Sequence, residues 1–189
     1  SILPKSTGRK DGTRTDMVSS LKQTLMERIA GCQDQVEKAA LQHKMGVLCC
    51  DMDREREAEP WFAAAYETRR LVLGCTHVDT TESMHELGAV YSQLGEFLNA
   101  EVLLKKNHEE YQQVLGSQAR ETLQCERSLG LLYSRKGKLE DSENCLIQCI
   151  KDQTEAYGPD DSDTIESELA RAKTFVFERK FSAAEAVYS

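Results

Sequence analysis

Proline is almost missing from this chain of 189 residues: only Pro4, Pro60 and Pro159 occur. Aromatic residues are also scarce, at 6%. A chain so poor in both, and rich in Ala, Leu, Glu, Lys and Gln, favours helix over sheet. No apolar run approaches the roughly 18 residues that a membrane span requires, and no signal-peptide core is present. The chain therefore reads as soluble and cytoplasmic. It also lacks the motifs of common catalysis: no Gly-rich phosphate loop, no HExxH and no nucleophile elbow. Its four histidines (His43, His77, His85 and His108) have no ligand spacing. No intrinsic catalysis, cofactor or bound metal is expected. Acidic pairs such as Glu109-Glu110 and Asp160-Asp161 read as solvated surface and loop.

Positive charge is in deficit, with a formal net charge of -8. The first 18 residues run against this trend, carrying Lys5, Arg9, Lys10 and Arg14 against Asp11 and Asp16. The acidic body argues against nucleic acid, because binding a phosphate backbone rests on Lys and Arg neutralising it. The basic lead, residues 1–15, reads as flexible and solvated. Seven cysteines is an odd count without disulfide-framework spacing, which suits a reducing compartment. Cys145 and Cys149 are one helical turn apart. They read as small core residues rather than half of a metal site, because no second pair accompanies them.

What the chain does have is a period. Leu87-Gly88 and Leu129-Gly130 are 42 residues apart, and Met45-Gly46 holds the same place one period upstream. Leu73-Gly74, Leu115-Gly116 and Tyr157-Gly158 keep the same interval, as do Gly95 and Gly137, Phe97 and Leu139, and Ala100-Glu101 and Ser142-Glu143. Ala58-Glu59 falls in step upstream; Phe175, Phe181 and Ala184-Glu185 extend a weaker fourth period. So many positions in register identify a repeat array. Its function belongs on the surface of that array rather than in one catalytic pocket.

Each period predicts two helices. Met17 to Ala30 has helical spacing at Val18, Leu21, Leu25 and Ile29, and reads as a leading or capping helix within residues 16–32. Repeats follow at 33–74, 75–116 and 117–158, with a partial fourth at 159–189. The first helix of a period is expected to start at Asp79-Thr80, Glu121-Thr122 and Asp163-Thr164, with the threonine as N-cap and the acid at the positive helix end. A glycine in mid-helix costs about 1 kcal/mol against alanine. Its return at 46, 88 and 130 therefore implies a close approach by the second helix. There Phe62, Leu104 and Leu146 share a register and read as core, while Trp61 reads as lying on an inter-repeat seam. Gly95 and Gly137 end first helices; Gly74, Gly116 and Gly158 end second ones.

Leu-Gly-x-x-Tyr followed by Gly-x-Phe/Leu-x-x-Ala-Glu resembles the tetratricopeptide pattern, lengthened from its usual period of about 34 residues. Glu57-Ala58-Glu59-Pro60 and Ala100-Glu101-Val102-Leu103 are similar to the Glu-Ala-Glu-Pro-Leu segment of kinesin light chains. Tyr157-Gly158-Pro159-Asp160-Asp161 is similar to that family's inter-repeat loop. The resemblance covers roughly residues 33–189, and similar units occur in nephrocystin-like proteins and in sensor arrays on signalling NTPases. It implies an all-α, right-handed α-solenoid of tetratricopeptide-like helix pairs that acts as a non-catalytic scaffold. An extended, acidic and apolar peptide of another protein would lie along the concave groove, as in cargo or adaptor attachment, with a cytoplasmic or cytoskeletal location. The alternatives are a regulatory or sensor array of a larger signalling NTPase, and a self-assembly module with intramolecular or oligomeric contacts at the array ends. The chain stops at Ser189 inside a fourth second helix and lacks an initiator Met, so a longer parent protein is expected.

By register, the resemblance places His43, Lys44, Val47 and Cys50 on the groove in the first period. His85, Glu86, Ala89 and Ser92 follow in the second, then Arg127, Ser128, Leu131, Ser134 and Arg135 in the third. Kinesin light chains hold cargo backbones with paired asparagines. Here those places carry His85-Glu86 and Arg127-Ser128, so that mode does not carry over. The chaperone-binding branch uses a Lys/Asn/Arg clamp; His43, Val47, Gln124 and Ser128 stand at its positions, and the clamp is absent.

Overall fold

The computed structural model describes the backbone of residues 11–188 and the side chains of residues 17–175. Residues 1–10 of the expected basic lead, and the side chains of Phe181 and Ala184-Glu185, lie outside the described residues. Eight α-helices and no strand occur among the described residues. They are α1 (Asp11–Gly31), α2 (Gln35–Cys50), α3 (Glu55–Leu73), α4 (Val78–Leu94), α5 (Phe97–Leu115), α6 (Arg120–Arg135), α7 (Leu139–Tyr157) and α8 (Ser162–Tyr188). The fold is an all-α helical repeat solenoid, resolved into two compact units: α1–α4, ending at Leu94, and α5–α8, beginning at Gly95.

In the first unit α1 packs on α2, α2 on α3 and α3 on α4. α1 begins at Asp11, inside the stretch read as a lead, with an acid at its positive end. It buries Val18, Leu25 and Ile29, three of its four predicted apolar positions. Two ion pairs hold it: Lys22 to Glu57 on α3 at 2.6 Å, and Arg28 to Glu37 on α2 at 3.3 Å. In the second unit α6 packs on α5, α7 and α8, and α7 also packs on α8.

The close approach inferred from the mid-helix glycines is present in both units. Phe62 is fully buried, and a Cβ built on Gly46 would meet three atoms of its ring at 2.8 Å. In the second unit a Cβ on Gly130 would lie 2.7 Å from Leu146 Cγ, another fully buried side chain. Real Cβ contacts are not that short, so only glycine lets these helix pairs cross here. Trp61, next to Phe62, is half-buried.

The turn between first and second helices shows what one residue decides. Gly95 and Gly137 have φ of 82° and 75°, and Asp53, one period before Gly95, takes the same left-handed conformation at φ 55°. Aspartate tolerates that region better than most side chains do. The next position in the series is Arg179, and there the chain does not turn: α8 continues as a single 27-residue helix where a helix pair was expected.

The recurring threonines do not cap. Thr80, Thr122 and Thr164 are each the third residue of their helix. Thr122 donates its hydroxyl to the Gly116 carbonyl at 2.8 Å, and Thr164 does the same to Gly158 at 3.0 Å. Both threonines are buried, and each donates to the carbonyl of the glycine that ends the preceding helix. The acids preceding them do lie in the first helical turn. A side-chain cap occurs instead at Asp34, whose Oδ1 accepts from the backbone N–H groups of Val36 and Glu37 at 2.8 and 2.9 Å.

Candidate functional site

The first helices carry the positions that the resemblance assigned to a groove. In the first unit these are α2 and α4. Lys44 is exposed, Val47 and Cys50 are half-buried, and His43 is only 9% exposed. His43 faces across to α4, where its Nδ1 lies 3.2 Å from Ser83 Oγ and its Nε2 lies 3.7 Å from Glu82 Oε2. The Phe62 ring meets it edge-on, with centroids 5.3 Å apart.

A residue that sequence reasoning missed organises this junction. Arg69 of α3 is 6% exposed. Its Nη1 donates to Ser83 Oγ and to the Asp79 carbonyl, both at 2.7 Å, and approaches Glu82 Oε2 at 3.4 Å. Since Ser83 Oγ accepts from Arg69, its own proton is available for His43 Nδ1. That arrangement suits a neutral imidazole. Burial pushes the His43 pKa below its ordinary value; Glu82 pulls it back up and Arg69 pushes it down further. One signal for Arg69 was present: its register mates, Tyr111 and Gln153, are buried too, so the column is internal. On α4 itself, His85 and Glu86 are half-buried with Nδ1 and Oε1 3.9 Å apart, Ala89 is half-buried, and Ser92 is buried.

The second unit repeats the logic with different residues. Arg127 of α6 stands two periods after His43, and Glu166 of α8 two periods after Glu82. Arg127 Nη1 lies 2.9 Å from Glu166 Oε2 and donates to the Asp163 carbonyl at 3.4 Å. Asp163 also takes Gln124 Nε2 at 3.1 Å and a contact from Arg120. Arg120 grips both oxygens of Asp161, at 3.0 and 3.2 Å, and stacks 4.3 Å over Tyr157, whose hydroxyl donates to the Gln118 carbonyl at 2.6 Å. Further along α6, Ser128 and Leu131 are half-buried, Ser134 is buried and Arg135 is exposed.

The expected strip thus divides. His43 and Arg127 link one first helix to the next and have their charge or polarity answered by acids of the strip itself. Ser92 and Ser134 are buried. Lys44 and Arg135 face solvent, with Val47, His85, Glu86 and Leu131 half-open beside them.

The cysteines serve packing. Cys149 donates to the Leu123 carbonyl at 3.2 Å and Cys145 to the Glu126 carbonyl at 3.3 Å, while burial pushes both thiols up to about 12. They act as protonated donors. Beside them Glu126 stands one period after the fully buried Met84. Burial, helped by Asp152, raises its carboxyl from 4.5 to about 7. The folded chain therefore holds a proton that the unfolded chain releases near 4.5, so this site increasingly opposes folding as pH rises through that window. Discounted for partial exposure, the full penalty is about 1–2 kcal/mol. Glu126→Gln should raise the urea unfolding free energy by that amount at pH 8 and leave it unchanged at pH 4. An equal change at both pH values would refute the buried-carboxylate account.

Among the described residues, no helix is long and apolar enough to cross a membrane. No curated protein matches the chain. Solved structures do. BtubC (BKLC) from P. vanneervenii is similar over 92% of this chain and 71% of its own, with a TM-score of 0.74 at 14% identity. The nearly identical TPR-like repeats of a Podosopora anserina kinesin light chain, in two forms, are similar over 94% of this chain and 84 and 85% of theirs. Those TM-scores are 0.71 and 0.69, at 18% identity. These are likenesses of fold. The tetratricopeptide repeat profile matches the sequence itself, over residues 37–106 and 86–151. With more than half of its length matched, and with helix pairs crossing at Gly46 and Gly130, the chain belongs to the tetratricopeptide repeat family, a family of protein-interaction scaffolds.

Proposed function

We propose that this chain is a non-catalytic scaffold that binds an extended segment of another protein along its first helices, as an adaptor or cargo-attachment module of the kinesin light chain kind. The observation that carries this reading is the division of the strip. His43, which links one first helix to the next, is buried, whereas Lys44 and Arg135 are exposed and Val47, Glu86 and Leu131 half-exposed on the same helices. A ligand laid on the first helices of either unit meets apolar and charged groups side by side, a usual setting for extended-peptide recognition. Lys44 and Arg135 are exposed cations on these helices, and an acidic segment would be drawn to them.

Those two residues are the ones to reverse. Arg127→Glu would place a carboxylate against Glu166 and Asp163 and disturb the fold, whereas Lys44→Glu and Arg135→Glu alter exposed positions. A partner recovered from cytosol by the native chain should be lost to the Lys44→Glu, Arg135→Glu double variant at unchanged helicity. Full retention of the partner would move recognition off this strip.

A further inference from the structure

The two units close the junction between consecutive first helices with the same positions, but they place the arginine differently. In the first unit Arg69 of α3 reaches the Asp79 carbonyl of α4 at 2.7 Å, and His43 of α2 meets Ser83 beside it. Two periods later, Arg127, Gln153 and Asp163 stand where His43, Arg69 and Asp79 stood. There the Asp163 carbonyl takes its arginine from α6 at 3.4 Å, and the residue of the second helix, Gln153, is uncharged and fully buried. Each junction therefore sets one permanent cation on that carbonyl. An acid of the same register faces each cation, Glu82 in the first unit and Glu166 in the second.

His43 is the side chain that can change this count. It is 9% exposed, and its Nδ1 lies 3.2 Å from Ser83 Oγ. That oxygen already accepts from Arg69 Nη1 at 2.7 Å. A guanidinium can only donate, so the serine proton is the one left for Nδ1. The ring is then neutral, with its own proton on Nε2, 3.7 Å from Glu82. A further proton on Nδ1 would turn the serine proton away and set an imidazolium beside the Arg69 guanidinium. The charged groups facing the ring are Arg69 from α3 and Glu82, Glu86 and Asp79 from α4. α1 also packs on α2, but its Lys22 and Arg28 are held by Glu57 and Glu37. Burial weighs most and disfavours the charged ring; Glu82 favours it, Arg69 opposes it, and Glu86 and Asp79 favour it less. The balance lies on the neutral side.

We propose that the junction of α2, α3 and α4 is a proton-operated latch, closed while His43 is neutral and loosened when His43 takes a proton. The junction of α6, α7 and α8, with Arg127 and Gln153 in those places, has no such group to charge. A solvated His43 in an opened junction takes its proton near 6.5, and the closed junction takes it only at lower pH. Acidification through that window therefore favours the open form. Lys44 and Val47 follow His43 on α2, and Glu86 and Ala89 lie on α4. The latch thus governs how firmly two strip-bearing helices are held together. That consequence rests on the proposed function, whereas the latch and its test do not.

Amide hydrogen exchange and imidazole NMR on the chain of residues 1–189, between about pH 7.5 and 5.5, test this. Referred to unstructured peptides at each pH, exchange in α2 and α4 should quicken severalfold on acidification, and exchange in α6 and α7 should not. His43→Gln, which keeps an acceptor for the Ser83 hydroxyl, should abolish that response. The ring titration needs no variant: His43 should carry its proton on Nε2 at neutral pH and titrate below 6.5. A ring protonated on Nδ1, or a midpoint at or above 6.5, overturns the proposal. So does an acid response that is equal in both junctions or that survives His43→Gln.

Discussion

Replacing Phe62 by alanine should lower the unfolding free energy by about 3–5 kcal/mol, the range for truncating a fully buried aromatic side chain. Phe62 is 0% exposed and occupies the crossing of α2 and α3. Its ring fills the space left by Gly46 and meets His43 edge-on at 5.3 Å between centroids. Two consequences separate this from an ordinary core truncation. The cavity opens beside a glycine in mid-helix, so at that position α2 has no side chain to fill it. Restoring volume from the other side should therefore help. Gly46→Ala alone would force its Cβ against a stiff ring and cost about 1–3 kcal/mol in overpacking, partly offset by about 1 kcal/mol of helix propensity. In the Phe62→Ala background the clash is gone and Gly46→Ala should be stabilising. Urea denaturation of the two single variants and the double would show this as a change of sign. If Gly46→Ala has the same effect in both backgrounds, the two residues are not coupled and the crossing is not limited by their contact.

Arg69→Ala should cost about 2–4 kcal/mol, because hydrogen bonds to a charged group are worth about 1.5–3 kcal/mol each and their buried partners are left bare. Those partners are the Asp79 carbonyl and the Ser83 hydroxyl, each 2.7 Å from Nη1. The third contact, to Glu82, contributes least: that carboxylate is 53% exposed and 3.4 Å away, so Glu82→Gln should change stability by no more than about 1 kcal/mol. The contrast between the two variants distinguishes a buried hydrogen-bond anchor from a surface ion pair. Comparable losses from Arg69→Ala and Glu82→Gln, measured by denaturant unfolding at neutral pH, would mean that charge pairing holds the junction after all. Because Arg69 also contacts the serine that faces His43, its loss reaches all three helices α2, α3 and α4.

Features set by periodicity were readable from the chain. The 42-residue interval placed the helix pairs, and the cost of a mid-helix glycine implied the close crossings at Gly46 and Gly130. Both arguments depend on residues a fixed distance apart, which a sequence displays directly. What stayed hidden depends on how helices meet. Arg69 looks like any arginine on an exposed helix face until α3 and α4 bring Asp79 and Ser83 to its tip. The threonines carry cap chemistry, and only the position of Gly116 and Gly158 shows their hydroxyls turning backwards. At Arg179 the template itself misled: the pattern beyond it implied a second helix, but the residue needed for the turn was not there. The candidate groove residues do fall on α2, α4 and α6. Which of those side chains remain open was not legible, because a long cation such as Arg127 can bend to an acid on the next first helix.

The threonine clasps join residues only six apart, and the junctions built by His43, Arg69, Arg120 and Arg127 span at most 43 residues. No stabilising link described in either unit needs a distant part of the chain. Loop-closure entropy therefore stays small, the condition under which domains fold fast. For a chain emerging from a ribosome at about 5–20 residues per second, each junction has all its parts within roughly 2–9 seconds of its first residue appearing. The array can be assembled in the order in which it is made, each helix pair docking on a finished one while the next is still being synthesised.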